Sequence, residues 1–132
     1  LTPPAWEFAR LSGVAVDSRD AQVAAARKLA KEQKIIVLLK GQHTFITSGS
    51  EDAINQTGNP GMATGGCGDV LTGIITALVC QGLSPLNAAM LGAHVHGLAG
   101  DLAAQELGQV SLIASDLIRF LPKAFLQVQV VA

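Results

Sequence analysis

The densest group of residues with chemical potential is Thr57-Gly58-Asn59-Pro60-Gly61-Met62-Ala63-Thr64-Gly65-Gly66-Cys67-Gly68-Asp69. It runs directly into the apolar segment Val70-Leu71-Thr72-Gly73-Ile74-Ile75. Glycines let successive backbone N–H groups turn inward, and a helix start adds unpaired N–H groups and a partial positive charge. Together they make an anion site, for which phosphate is the natural guest. It is not a Walker A loop, because no Lys-Ser/Thr follows, and it is not a spaced dinucleotide fingerprint. Asp69 admits two readings that do not exclude each other. As a helix N-cap it would bind its own helix N–H groups. As a base beside a phosphate cradle it would take a proton from a hydroxyl attacking phosphorus. The glycines around it favour the base.

Other chemistry-bearing residues weigh less. Lys40 follows an apolar run and reads either as a phosphate ligand or as a solvated strand end. His94 and His96 stand two apart, which on a helix points them to different faces and does not suit a two-His metal site. They read as packing or polar contacts, and the His43 side chain as incidental. Cys67 fits the cradle as a small residue rather than a nucleophile, and Cys80 reads as core. Trp6 reads as packing and Glu7 as a helix-start acid.

The elements that must hold these residues follow from hydrophobic pattern and punctuation. Ala5 to Ser12 reads as a short helix stopped by Gly13. Ser18 or Asp17 can cap a second, to about Gln33, with Val23, Leu29 and alanines inward. Ile35-Ile36-Val37-Leu38-Leu39 suits a strand covered on both faces, as in a parallel sheet. Thr44 to Thr47 and Ala53 to Thr57 read as shorter, antiparallel strands around a Ser48-Gly49-Ser50 turn. The second half is helical: Asp69 to Gln81, then Pro85 to about Leu107 behind the Ser84 cap. A short helix from Ser115-Asp116 follows, and Pro122 opens a last one reaching Val128. Gly92, Gly97 and Gly100 cost a long helix about 1 kcal/mol each, which implies close packing there. One doubly covered strand is too little sheet for so many apolar helices, so part of the sheet is expected upstream of Leu1. The edge of the Ile35–Leu39 strand is then expected to be unpaired.

The chain has 132 residues, the length of one domain at most, with 14% charged residues and a net charge of -1. That excludes a basic nucleic-acid surface and ordinary disorder. Two cysteines do not make a disulfide framework. No residue between Asp69 and Asp101 is Asp, Glu, Lys or Arg, so that region is expected to be buried. Val70 to Cys80 is too short to span a membrane. No signal peptide is legible, which fits a cytoplasmic protein.

The run Asn59-Pro60-Gly61-Met62-Ala63-Thr64-Gly65-Gly66-Cys67-Gly68-Asp69-Val70-Leu71 is similar to the motif of the ADP-dependent NAD(P)H-hydrate dehydratases of the ribokinase-like superfamily. Other segments resemble the family in order and spacing. They are Leu1-Thr2-Pro3, Glu7 to Leu11, Leu39-Lys40-Gly41 with Thr44, His96-Gly97-Leu98-Ala99-Gly100-Asp101, and Ala114 to Ile118. The resemblance implies an α/β, ribokinase-like fold with a central sheet flanked by helices. It also implies that residues 1–132 are the C-terminal half of the family's domain, with the sheet incomplete and the N-terminal half absent.

It further implies repair of hydrated nicotinamide cofactors. A nucleoside diphosphate, or ATP in eukaryotic relatives, phosphorylates the ring hydroxyl of S-NADHX or S-NADPHX. Elimination then restores NAD(P)H. Asp69 would be the substrate-contacting catalytic base. Gly65, Gly66, Cys67 and Gly68 would cradle phosphate, and Lys40, Gly41, Gln42, His43 and Thr44 would bind ADP, accompanied by Mg²⁺. The partners implied are the hydrate, the nucleotide, the missing half or a further copy of the chain, and an epimerase. Where the family has His-Pro-Gly-Glu, this chain has Pro4-Ala5-Trp6-Glu7, so the substrate-side His is absent. Two other readings stand beside this one: a sugar or vitamin kinase of the same superfamily, and a catalytically inactive nucleotide-binding fragment.

Overall fold

The apolar run before Lys40 forms the centre of the molecule. In the computed structural model, which describes residues 1–129, strand β1 spans Val37–Leu39 and all three of its side chains are buried. Alternation along the strand divides them between two layers. Val37 and Leu39 join Phe8, Ala26, Ala30 and Phe45 on one side. Leu38 joins Ile46, Leu71, Ala89 and Ala93 on the other. Strands β2 (Thr44–Thr47) and β3 (Asp52–Asn55) continue the sheet in the order β1-β2-β3. Both pairings are antiparallel, with Leu39 opposite Phe45 and Phe45 opposite Ile54. The Ser48–Ser50 turn carries Gly49 at φ 92, against the backbone of Lys31, where a Cβ would lie 2.7 Å from the Lys31 nitrogen. Phe45, Ile46 and Thr47 are as buried as β1, so two strands are covered on both faces, where the sequence suggests one.

The other edge of β1 is not bare, contrary to expectation. Residues 1–4 run beside it in the parallel sense, with Pro4 bridged to Lys40. Leu38 N–H donates to the Leu1 carbonyl (2.8 Å), Lys40 N–H to the Pro3 carbonyl (3.0 Å) and the Leu1 nitrogen to the Ile36 carbonyl (2.8 Å). The parallel pairing implied by the apolar run is thus present, made by a segment too short and proline-rich to read as a strand.

Helices α1 (Ala5–Ser12) and α2 (Arg19–Gln33) cover one face of the sheet. Gly13 ends α1 at φ 74, its N–H returning to the Ala9 carbonyl. Helices α3 (Cys67–Cys80) and α4 (Pro85–Leu107) cover the other face, and α5 (Ala114–Gln129) packs outside them. The Ser84 hydroxyl accepts from Asn87 N–H at the start of α4 (3.3 Å). Two helices were expected where α5 is one. Pro122 lies inside it and removes one backbone donor, a cost of about 3 kcal/mol. Leu117, Phe120 and Ala124 hold a single buried stripe through it, and each large apolar side chain so buried contributes roughly 1.5–3 kcal/mol. The uncharged segment is only partly buried. Thr72, Gly73, Thr76, Ala77, Val79 and Cys80 leave one face of α3 exposed. Cys80 is therefore not core. Trp6 is exposed too, with the Arg10 guanidinium 5.7 Å from its ring centre rather than a core around it. No helix among the described residues is long and apolar enough to cross a membrane.

Candidate functional site

The glycine-rich segment is built against α4. Thr57 Oγ donates to the His94 carbonyl (2.9 Å). The Asp101 carboxylate accepts from Gly58 N–H (3.0 Å) and from Asn59 Nδ2 (2.9 Å). Asn59 Oδ1 in turn accepts from Gly61 N–H (3.0 Å), which starts the 3₁₀ turn Pro60–Met62. The glycines of α4 allow this approach. A Cβ on Gly97 would lie 2.1 Å from Thr57 Oγ, one on Gly100 2.2 Å from Met62 Sδ, and one on Gly92 2.7 Å from Ile75 Cγ1. The close packing expected at these three positions is therefore real, and two of the three support the loop.

From there the chain turns into α3. Gly66, at φ 91, is the N-cap, and Cys67, Gly68 and Asp69 are the first three helical residues. The N-cap reading of Asp69 is thereby corrected. The helix starts two residues earlier, because glycine reaches the left-handed conformation without the strain a side chain would bring. Asp69 stands in the first turn, where a carboxylate is favoured by the helix dipole. Its side chain is exposed and makes no hydrogen bond or ion pair among the described residues. The N–H groups of Gly68 and Asp69 have no acceptor among the described residues either. A Cβ on Gly68 would lie 2.7 Å from Lys40 Nζ, so the ammonium from the end of β1 sits over the open end of α3. A helix start, a lysine and a free carboxylate meet there, an arrangement that can hold a phosphate and take a proton beside it.

His96 lies beneath this point. Its Nε2 is 2.8 Å from the Cys67 carbonyl, a contact it makes as a donor. Burial lowers its pKa most and the nearby Lys40 charge lowers it further, against the opposing effect of that hydrogen bond. Burial thus favours the neutral imidazole, and the ring makes one of the polar contacts the sequence suggests. Burial raises the Cys67 thiol pKa, which suits a small packing residue and not a thiolate nucleophile.

Of the residues singled out from sequence, Lys40, Gly66, Cys67, Gly68 and Asp69 gather at the start of α3. Gly65 precedes it with open space where a side chain would be. Gly41, Gln42 and His43 form the exposed turn between β1 and β2, and Thr44 opens β2. Pro4 is bridged to Lys40. Asp101 and Arg19 were missed as site residues. Asp101 carries the loop; its signs in the sequence were an acid among the glycines and alanines of α4 and its place in a segment that resembles the family. Arg19 donates to the carbonyls of His43 (2.9 Å), Leu39 (3.3 Å) and Lys40 (3.5 Å).

Residues 1–123 match the family described as NAD(P)H-hydrate dehydratase. The chain is 51% identical over 124 residues to the bifunctional NAD(P)H-hydrate repair enzyme Nnr of Moorella thermoacetica, across 92% of this chain and 23% of that protein. It is 39% identical over 123 residues to the ADP-dependent (S)-NAD(P)H-hydrate dehydratase of Cenarchaeum symbiosum, across 92% of this chain and 42% of that one. The crystal structure of ADP/ATP-dependent NAD(P)H-hydrate dehydratase from Bacillus subtilis, co-crystallised with ATP/Mg²⁺ and soaked with CoA, superposes with a TM-score of 0.89. That match has 32% identity and covers 96% of this chain and 48% of the other. The α/β, ribokinase-like fold is thus the one this chain has. The chain spans less than half the length of these relatives.

Proposed function

We propose that this chain, which belongs to the NAD(P)H-hydrate dehydratase family, is the nucleotide-binding C-terminal half of an enzyme that dehydrates S-NAD(P)H hydrate at the expense of ADP. One observation carries the reading: Lys40 Nζ reaches the open start of α3 at Gly68, in the turn that carries Asp69, whose carboxylate has no partner among the described residues. In this scheme the free N–H groups of α3 and Lys40 hold the phosphate to be transferred, in the cradle of Gly65, Gly66, Cys67 and Gly68. The turn Lys40, Gly41, Gln42, His43 and Thr44 takes the rest of the nucleotide. The ring hydroxyl oxygen attacks the terminal phosphorus, and AMP leaves with the electrons of the broken P–O bond. Asp69 accepts the hydroxyl proton as the new bond forms. The ring C–O bond then breaks, phosphate departs with that oxygen, and loss of a proton from the neighbouring carbon restores the double bond of NAD(P)H.

The residues present fit a nucleotide: a side chain at Gly68 would meet the Lys40 ammonium, so the cation of the cradle is already in place. Among the described residues no group of three or more His, Cys, Asp or Glu could hold a metal. Mg²⁺ would therefore arrive with the nucleotide, held by phosphate and water. Within the cell the reaction suits the cytoplasm, where nicotinamide cofactors turn over. A second reading is phosphorylation of a different alcohol by the same cradle and base, since the resemblance implies a substrate-side His where this chain has Pro4. Product analysis separates the two. Full-length protein given S-NADPH hydrate, ADP and Mg²⁺ is expected to regenerate NADPH absorbance with one AMP and one phosphate per turnover. A stable phosphorylated alcohol would establish the kinase, and nucleotide binding without turnover an inactive fragment.

A further inference from the structure

Arg19 is the first residue of α2, a position where a cation faces the positive end of the helix dipole and is disfavoured. No acidic side chain pairs with it among the described residues. Instead its guanidinium crosses to the β1–β2 connection and donates to three carbonyls, those of His43, Leu39 and Lys40, at 2.9, 3.3 and 3.5 Å. A Cβ on Gly41 would lie 3.3 Å from the same guanidinium. The group therefore fills the inside of the turn, and Gly41 lacks a side chain where the two meet.

These contacts have a directional consequence. In a planar peptide the C=O and the following N–H point opposite ways. Carbonyls drawn onto Arg19 turn the N–H groups of Gly41 and Thr44 away from it. Gly41, Gln42 and His43 N–H groups have no acceptor among the described residues, and all three residues are exposed. A rigid fork of donors suits this task, since a single guanidinium can span several carbonyls in fixed geometry, whereas a lysine ammonium cannot.

We propose that Arg19 is a positioning residue for the nucleotide: by gathering the carbonyls of Leu39, Lys40 and His43 it fixes the Lys40–Thr44 turn in the form that binds ADP and aims Lys40 at the start of α3. It touches neither nucleotide nor hydrate and acts through the turn. The inference rests on the nucleotide reading above and adds the residue that shapes that subsite.

The test compares Arg19→Lys and Arg19→Gln in the full protein with Arg27→Gln, which removes a surface ion pair of the same helix, Arg27 with Asp52. ADP with Mg²⁺ is titrated calorimetrically, steady-state kinetics are measured in both substrates, and melts confirm folding. Loss of the fork is expected to weaken ADP binding by on the order of 10-fold or more. The KM for ADP should rise in parallel, with KM for the hydrate close to wild type. Arg19→Lys keeps the charge, so its failure to restore affinity would assign the effect to the fork, while Arg27→Gln should bind ADP normally. If a variant folds poorly, amide spectra of Arg19→Lys supply the second measurement: shifted or broadened Gly41–His43 resonances are expected, and unchanged ones would overturn the proposal. Folded Arg19 variants with wild-type ADP affinity would overturn it while leaving the nucleotide reading intact. Wild-type protein that binds no ADP would overturn the nucleotide reading and this proposal with it.

Discussion

Asp69 owes its availability to Gly66. Because the glycine at φ 91 starts the helix, the carboxylate is not consumed as a cap and stands free in the first turn. Asp69→Asn is expected to lower single-turnover NAD(P)H formation by ~10²–10⁴-fold, the usual cost of losing a general base. ADP affinity should stay close to wild type, since the amide keeps the size of the side chain. Near-normal single-turnover formation would make Asp69 a dipole partner of α3 and nothing more. Gly68 acts through space. A Cβ there would lie 2.7 Å from Lys40 Nζ, so Gly68→Val is expected to displace the ammonium and weaken ADP binding roughly tenfold or more in a calorimetric titration. Unchanged affinity would move the phosphate elsewhere. Both residues were legible because glycine crowding and a carboxylate at an apolar helix start carry their chemistry in their types. Their relation to Lys40 was not, because it joins positions far apart in the chain.

Among the elements, α4 does most to shape the site although its own residues stand behind it. Its His94 carbonyl, His96 imidazole and Asp101 carboxylate hold Thr57, Cys67 and the Gly58–Asn59 pair. Burial of His96 makes stability depend on pH. Its folded pKa lies below the ordinary 6.5, so between those two values the unfolded chain holds more protons than the folded one, and stability rises with pH. The contribution is fully present above 6.5 and lost as pH falls from 6.5 towards the folded pKa. Denaturant midpoints on either side of 6.5 should therefore fall on acidification, and fall less in His96→Gln. An identical slope in the variant would place the titration elsewhere. The element boundaries were readable where punctuation is strong, as at Gly13 and Ser84-Pro85. They failed where a stronger term overrode it. Gly66 displaced Asp69 as the helix start, and the buried stripe of Leu117, Phe120 and Ala124 carried α5 through Pro122. Residues 1–4 pair by backbone alone, which no side-chain pattern reports.

At the scale of the molecule, the uncharged outer face of α3 and a neighbouring hollow of about 960 Å³, lined in part by Leu1, Ile35, Ile36, Ile75, Val79 and Leu86, leave apolar surface uncovered. Burying apolar surface is worth roughly 25 cal/mol per Å², so a few hundred Å² is comparable to a domain's whole stability. Residues 1–132 made alone are expected to associate and to melt broadly, and to do so less when the rest of a family-length domain is supplied in trans. Sedimentation together with thermal melts checks this, and a monodisperse monomer with a sharp transition would contradict it. In the proposed reaction the cradle of α3 positions phosphate for transfer to the ring hydroxyl, and this phosphate then carries the oxygen away. The direct measurement uses S-NADPH hydrate labelled with a heavy oxygen isotope at that hydroxyl, turned over with ADP and Mg²⁺ by the full-length protein. The label is expected in inorganic phosphate, in step with NADPH formed. Label released as water, or retained in a phosphorylated product, would contradict it.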